Sequence, residues 1–201
     1  YAAVRATAGG HSVLLARTGY TGEDGFELFC CAEAAPDLWD CVTAAGARLE
    51  PTPVGEGETE DGRLPALTPC GLAARDSLRL EAGMALYGHE LTEDTTPFDA
   101  GLGAVVALDK AAFVGREALM ARSRREGEVG TSVLVALVGQ GRRAARPGCQ
   151  VIGPDGTVIG EVTSGLLSPT LGHPIALARV SPYQGTSGAR TDVASADGGG
   201  G

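Results

Sequence analysis

No apolar run in this 201-residue sequence approaches the roughly 20 consecutive residues that a membrane-spanning helix needs. Its start, YAAVRATAGG, lacks the charged head and apolar core of a secretory signal. A cytoplasmic setting with no membrane partner is therefore expected. Excess positive charge is missing too. The formal net charge is -9, and the 16 Lys and Arg are scattered apart from a short basic run at Arg122 to Arg125. That run interleaves with Glu117, Glu126 and Glu128 at helical spacing, which suits a solvated helix end. A chain of this charge repels a phosphate backbone, so nucleic acid is not expected as a partner.

Metal-ligand spacing is also lacking. Cys30, Cys31, Cys41, Cys70 and Cys149 form an odd set with no CxxC pair and no nearby His. They read as buried small hydrophobes in a reducing compartment. His11, His89 and His173 lie far apart, and no metal is expected. No internal repeat is found.

What is there is a soluble-type composition, 43% hydrophobic, enough for one large domain or two small ones. SVLLA (12–16) and FELFCC (26–31) read as strands joined by the Gly-rich turn GYTGEDG. Pro36 opens a helix carrying Leu38, Cys41, Val42 and Ala45 at three- and four-residue steps, with Gly46 placed as its cap. The acidic, Pro- and Gly-rich segment 51–66 reads as a mobile surface loop. Helices are expected over GLAARDSLRLEAG (71–83), between Pro69 and the stop at Gly83, and over GREALMARSRRE (115–126), either side of the apolar stretch LGAVVAL (102–108). From about residue 130 the chain turns into short β-rich runs, SVLVALV, CQVI, TVIGEVTS and IALARV, which argue for a small β-barrel or sandwich of their own. The boundary is set at 127/128, giving domains 1–127 and 128–201. The tail SGARTDVASADGGGG should fray.

The stretch RTGYTGEDGFELFC (17–30) crowds carboxylates around a would-be strand. Strand alternation places Glu27 on one face with Phe29 and Cys31, where a carboxylate is partly desolvated and needs a donor. It either pairs with a Lys or Arg on an edge strand or accepts hydrogen bonds from a ligand's N–H groups. Glu23 and Asp24 suit the turn itself. Tyr20 exposes a ring that could stack on a flat ligand. On the helix expected over 71–83, Arg75 and Arg79 share one face and Asp76 and Arg79 are spaced to pair. This is either a surface ion-pair helix or one that turns the planar fork of Arg75 into a cleft, towards a carboxylate-bearing or conjugated ligand.

RTGYTGEDGFEL, GLAARDSLRLEAGMALYGHEL, TTPFDAGLG, FVGREAL and IGEVTSGLLSPTLGHPIALARV occur in the order in which similar motifs occur in the glycine cleavage system T-protein, the aminomethyltransferase. The sequence resembles that family over nearly its whole length. The resemblance implies an α+β fold, part of a folate-binding domain followed by a small C-terminal β-barrel domain. It implies tetrahydrofolate as co-substrate and the lipoyl-bearing H-protein as partner. The activity it implies is transfer of the one-carbon unit of an aminomethyl group from the lipoyl arm to tetrahydrofolate, with release of ammonia. Matched by motif, Glu27 is the carboxylate that hydrogen-bonds the pterin, Tyr20 an aromatic lining the same pocket and Arg75 the Arg that helps hold the folate. The family's catalytic Asp lies upstream of the GYTGE motif and is expected before Tyr1. Ala104 stands where many members place Trp. Two relatives of the same module stay open: the folate domain of a sarcosine or dimethylglycine dehydrogenase, which departs most around ARDSLRLEAGMALYGHEL, and a non-catalytic folate-binding protein.

Overall fold

The computed structural model describes residues 2–53, 63–123, 132–181 and 192–194, and the chain falls into two units, Tyr1–Arg75 and Asp76–Gly201. In the first unit, strands β1 (Ala3–Ala8), β2 (His11–Ala16) and β3 (Glu27–Phe29) form an antiparallel sheet in that order. The expected hairpin is present as β2 and β3, and β1 is an addition to it. Its signal is the Gly9-Gly10 pair, whose φ values of 55° and 84° build the two-residue turn that matches strand twist. The sheet packs its Val13, Ala6 and Ala8 side with Cys30 against Ala34 and Leu38, at the start of helix α1 (Ala35–Gly46).

Pro36 sits in the first turn of α1, where its missing N–H costs nothing. Gly46 is not the cap that its position suggested. It is the last helical residue, and Ala47 after it keeps right-handed backbone. A Cβ at Gly46 would lie 2.5 Å from the Leu67 Cβ, so the glycine is there for close approach. The loop expected over 51–66 is tied at its base by two short antiparallel strands, β4 (Thr52–Pro53) and β5 (Arg63–Leu64). Its centre, 54–62, lies outside the described residues.

Helix α2 (Leu72–Glu81) runs into the second unit and ends as expected at Gly83, whose φ is 71°. Stretch 102–108 holds a 3-10 turn at Gly103–Val105, and α3 (Arg116–Ser123) follows. The expected helix end beyond 123 falls outside the described residues. The β-rich runs form β6 (Val133–Val138), β7 (Gln150–Ile152), β8 (Val158–Leu167) and β9 (Pro174–Val180), antiparallel where they pair. With β10 (Asp192–Ala194) the sheet order is β10-β7-β8-β9-β6.

Strand β9 is buried on both faces. Ile175 and Leu177 pack with Leu80 of α2, and Ala176 and Ala178 pack with Val151 and Val162. Glycine is required beside it, because a Cβ at Gly160 would lie 2.2 Å from the Arg179 carbonyl oxygen and one at Gly165 2.3 Å from that of Ala145. The tail departs from expectation at β10, where Asp192, Val193 and Ala194 pair in register with Ile152, Val151 and Gln150. Backbone hydrogen bonding to an open strand edge holds a segment whose composition alone argues for fraying.

The mixed helix and sheet content is that of the expected α+β class. No helix among the described residues is long and apolar enough to cross a membrane. The cysteines are free and less buried than expected: Cys30 and Cys149 are half-buried beside core clusters, while Cys31, Cys41 and Cys70 are exposed.

Candidate ligand-binding site

The turn between β2 and β3 is closed by the Ala16–Glu27 pair at the base of the ladder. Arg17 binds Asp24 across it at 2.7 Å and lies over the Phe26 ring, 6.0 Å from its centroid. Asp24 is thereby used by the turn itself. Thr18, one residue further, donates its hydroxyl to the Glu27 carboxylate. Tyr20 receives the Arg75 guanidinium over its ring at 4.4 Å, an aromatic–cation stack formed within the first unit by residues remote in sequence.

Two of the three sequence-nominated side chains are thus in direct contact, and the third is held by a hydroxyl on the same turn. Tyr20 is half-buried and Arg75 exposed. A guanidinium lying over a ring in this way carries planar N–H donors of the kind that suit a carboxylate or a conjugated ligand.

Glu27 departs from expectation. It shares a sheet face with Phe29, as alternation required, but it is exposed, because Phe29 (54%) and its cross-strand partner Leu14 (42%) are exposed as well. The carboxylate stands on an apolar but solvated surface. Among the described residues no Lys or Arg pairs with it, and its hydrogen-bond partner is the Thr18 hydroxyl.

The two arginines that share a helical face meet different fates. Arg79 is 1% exposed and fully engaged. Its Nε donates to Asp76 at 2.8 Å, its Nη1 to Glu90 at 3.0 Å and to the Met84 carbonyl at 3.1 Å, and its Nη2 to Ser164 at 2.9 Å. The Asp76 spacing was visible in the sequence. Glu90 and Ser164 carry no local signal, since they reach Arg79 only when β8 and the Leu86–Leu91 turn are folded. Burial pushes the Glu90 carboxyl up, but the Ser164 and Thr163 hydroxyls, the Leu86 amide and the Arg79 charge outweigh it and hold the group below its ordinary range.

Other carboxylates in the quoted motifs act as clamps within the second unit. Glu81 accepts from the Ser168 hydroxyl, and from the Thr170 amide at 3.1 Å and hydroxyl at 2.9 Å, which ties the β8–β9 turn to the end of α2. The Ser168 bond leads in depressing its carboxyl pKa. Asp99 accepts from the Thr96 amide at 3.0 Å and hydroxyl at 2.6 Å and also binds Arg122. Burial raises its carboxyl pKa, yet these bonds together hold it low.

Comparison with known proteins accounts for the motifs. A model of the GCVT N-terminal domain matches residues 1–66 and 58–110, and a model of the glycine cleavage T-protein C-terminal barrel domain matches residues 132–198. The chain is 50% identical over 197 residues to an aminomethyltransferase of Streptomyces coelicolor, covering 96% of this chain and 48% of that protein. It is 54% identical over 174 residues to one of Cutibacterium acnes, covering 86% and 41%. Among solved structures, the glycine cleavage system aminomethyltransferase T of Bartonella henselae superposes with a TM-score of 0.68 at 34% identity, covering 90% of this chain and 45% of that one. The chain spans about half the length of the curated relatives it matches.

Proposed function

The chain belongs to the glycine cleavage T-protein family, and from that membership we propose that its protein is a tetrahydrofolate-dependent aminomethyltransferase. In this reading it takes the aminomethyl group carried on the lipoyl arm of H-protein, passes the one-carbon unit to tetrahydrofolate and releases ammonia. The setting is cytoplasmic, with no nucleic-acid or membrane partner. Residues 1–127 belong to the folate-binding domain and 128–201 to the barrel domain. The aminomethyltransferase relatives favour this reading over a flavin-dependent demethylating enzyme.

The observation that carries the folate assignment is the Arg75–Tyr20 stack on the turn that leads into Glu27. A reduced pterin offers flat, conjugated N–H donors and its tail offers carboxylates. The residues present fit both ends: an exposed, hydroxyl-held carboxylate for the N–H groups, and a stacked planar cation for the conjugated or anionic part. Bound folate would supply the nucleophilic nitrogen that accepts the one-carbon unit. The residues of this chain bind and orient it. Glu27 accepts from the pterin N–H groups, a charge-assisted contact of roughly 1.5–3 kcal/mol, Tyr20 lines the pocket and Arg75 fixes the direction of the bound molecule. The proton-transferring Asp of the family is assigned to none of the residues of this chain.

Calorimetric titration of tetrahydrofolate into the chain and into Glu27→Gln tests the assignment. The substitution should weaken binding by about tenfold or more. Equal affinities would remove Glu27 from the site. Ammonia release and methylene-tetrahydrofolate formation with aminomethylated H-protein test the reaction itself.

A further inference from the structure

We propose that Thr18 is a positioning residue for folate recognition: its hydroxyl fixes the orientation of the Glu27 carboxylate and so sets where the pterin N–H groups dock. The inference rests on the folate reading above and deepens it. Glu27 is exposed at the first residue of β3, on a face where Phe29 and Leu14 offer it no polar partner. An exposed Glu on a short edge strand samples several rotamers, and holding one of them costs side-chain entropy each time a ligand binds.

The structure removes that freedom in advance. Thr18 donates to Oε2 of Glu27, and a hydroxyl cannot itself be deprotonated near neutral pH, so the contact orients the carboxylate without competing for its charge. Oε1 takes no part in that bond, and each carboxylate oxygen keeps a further lone pair, so the group can still accept two N–H donors side by side. Thr18 is suited to the task because it is itself half-buried and its neighbour is tied to the turn. Its neighbour Arg17 donates its backbone amide to Ala2 at 2.8 Å and its guanidinium to Asp24 at 2.7 Å. β-branching restricts the Thr18 side chain to few rotamers, which aims the hydroxyl more sharply than a serine would. The turn that first attracts notice for its glycines and acids thus has a second purpose, which is to present one donor to the strand that leaves it.

The test is a thermodynamic cycle on tetrahydrofolate affinity with the chain, Thr18→Val, Thr18→Ser, Glu27→Gln and the Thr18→Val/Glu27→Gln pair, with thermal melts to verify folding of each. Thr18→Val, which keeps the shape and deletes the donor, should weaken binding by about three- to tenfold. Thr18→Ser should recover most of that loss. The double variant should bind no more weakly than Glu27→Gln alone, because Thr18 acts only through the carboxylate. A loss that adds in full to that of Glu27→Gln, or unchanged affinity in Thr18→Val beside a weakened Glu27→Gln, overturns the positioning role while leaving the folate reading in place. If the unsubstituted chain binds no tetrahydrofolate, or Glu27→Gln binds as well as it does, the folate reading falls and this inference with it. If Thr18→Val melts early, Thr18→Ala read beside Thr18→Ser decides the question: near-native affinity in Thr18→Ser with a loss in a folded Thr18→Ala supports the role, and equal affinities in the two refute it.

Discussion

Arg79 and Glu90 meet at 3.0 Å with 1% and 0% of their side chains exposed, inside the second unit and within reach of Ser164 on β8. A charge in this position cannot be re-solvated without unfolding, so it depends on every partner that the fold brings to it. Removing one member of such a pair leaves the other charge buried and uncompensated, which costs far more than the pair contributes.

Arg79→Met should therefore destabilise the second unit by roughly 3–5 kcal/mol. Hydrogen exchange of the β8 and β9 amides under native conditions reads that unit directly. Protection unchanged within about 1 kcal/mol would show that Glu90 finds another partner or a proton. Adding Glu90→Leu to the variant should return part of the loss, because the stranded carboxylate is then gone.

Gly46 provides a test in which the sign itself is informative. Gly to Ala inside an unobstructed helix raises stability by up to about 1 kcal/mol. Here the new Cβ meets the Leu67 Cβ at 2.5 Å, so Gly46→Ala should lower stability by roughly 1–3 kcal/mol. Urea melts of Gly46→Ala and of Gly46→Ala/Leu67→Ala check this, with the second variant regaining part of the loss. An increase in stability on the first substitution would mean that α1 and Leu67 do not pack as described.

Acid should weaken the second unit through Glu81, Glu90 and Asp99, alongside the exposed Asp155, whose carboxyl the Thr157 hydroxyl and amide also hold low. The folded pKa values of Glu81, Glu90 and Asp99 lie below their ordinary values of 4.5, 4.5 and 3.8. A depressed folded value means that the unfolded chain takes up protons first. Each group then adds stability that is fully present above its ordinary value and disappears as pH falls through the lower folded one. Urea midpoints should be flat from pH 7 to about 5.5 and then fall steadily towards pH 3. Glu81→Gln should have a smaller fall over that interval, and an identical slope would remove Glu81 from the linkage.

The Tyr20–Arg75 stack makes a distinct prediction about the ring. Tyr20→Phe keeps the aromatic face and should preserve tetrahydrofolate affinity. Tyr20→Leu leaves Arg75 unsupported and should weaken binding by roughly two- to fivefold, the size of an exposed cation–aromatic contact. Equal loss in both variants would assign the effect to the phenol hydroxyl and not to the stack.

Local pattern was enough to place the β2–β3 hairpin, α1, α2 and β6 to β9, because each is encoded by spacing of apolar residues and by glycine or proline at its ends. The same reading nominated Glu27, Tyr20 and Arg75 through ordered motifs, and it noted that Asp76 is spaced to pair with Arg79. It passed over β1, although the Gly9-Gly10 pair flanked by β-compatible residues is a local signal of the same kind.

Tertiary structure alone decided the rest. Gly46 could be a cap or a contact point, and only the arrival of Leu67 settles which. Asp192–Ala194 has no apolar pattern, yet it becomes a strand because β7 offers it an unpaired edge. Arg75 and Arg79 stand one turn apart on the same helix, and nothing in their sequence surroundings says that one will stack on a tyrosine while the other is sealed beside Glu90. Spacing along the chain encodes which face of an element is apolar. It does not encode what that face will meet, since burial and partner choice are set by residues tens of positions away.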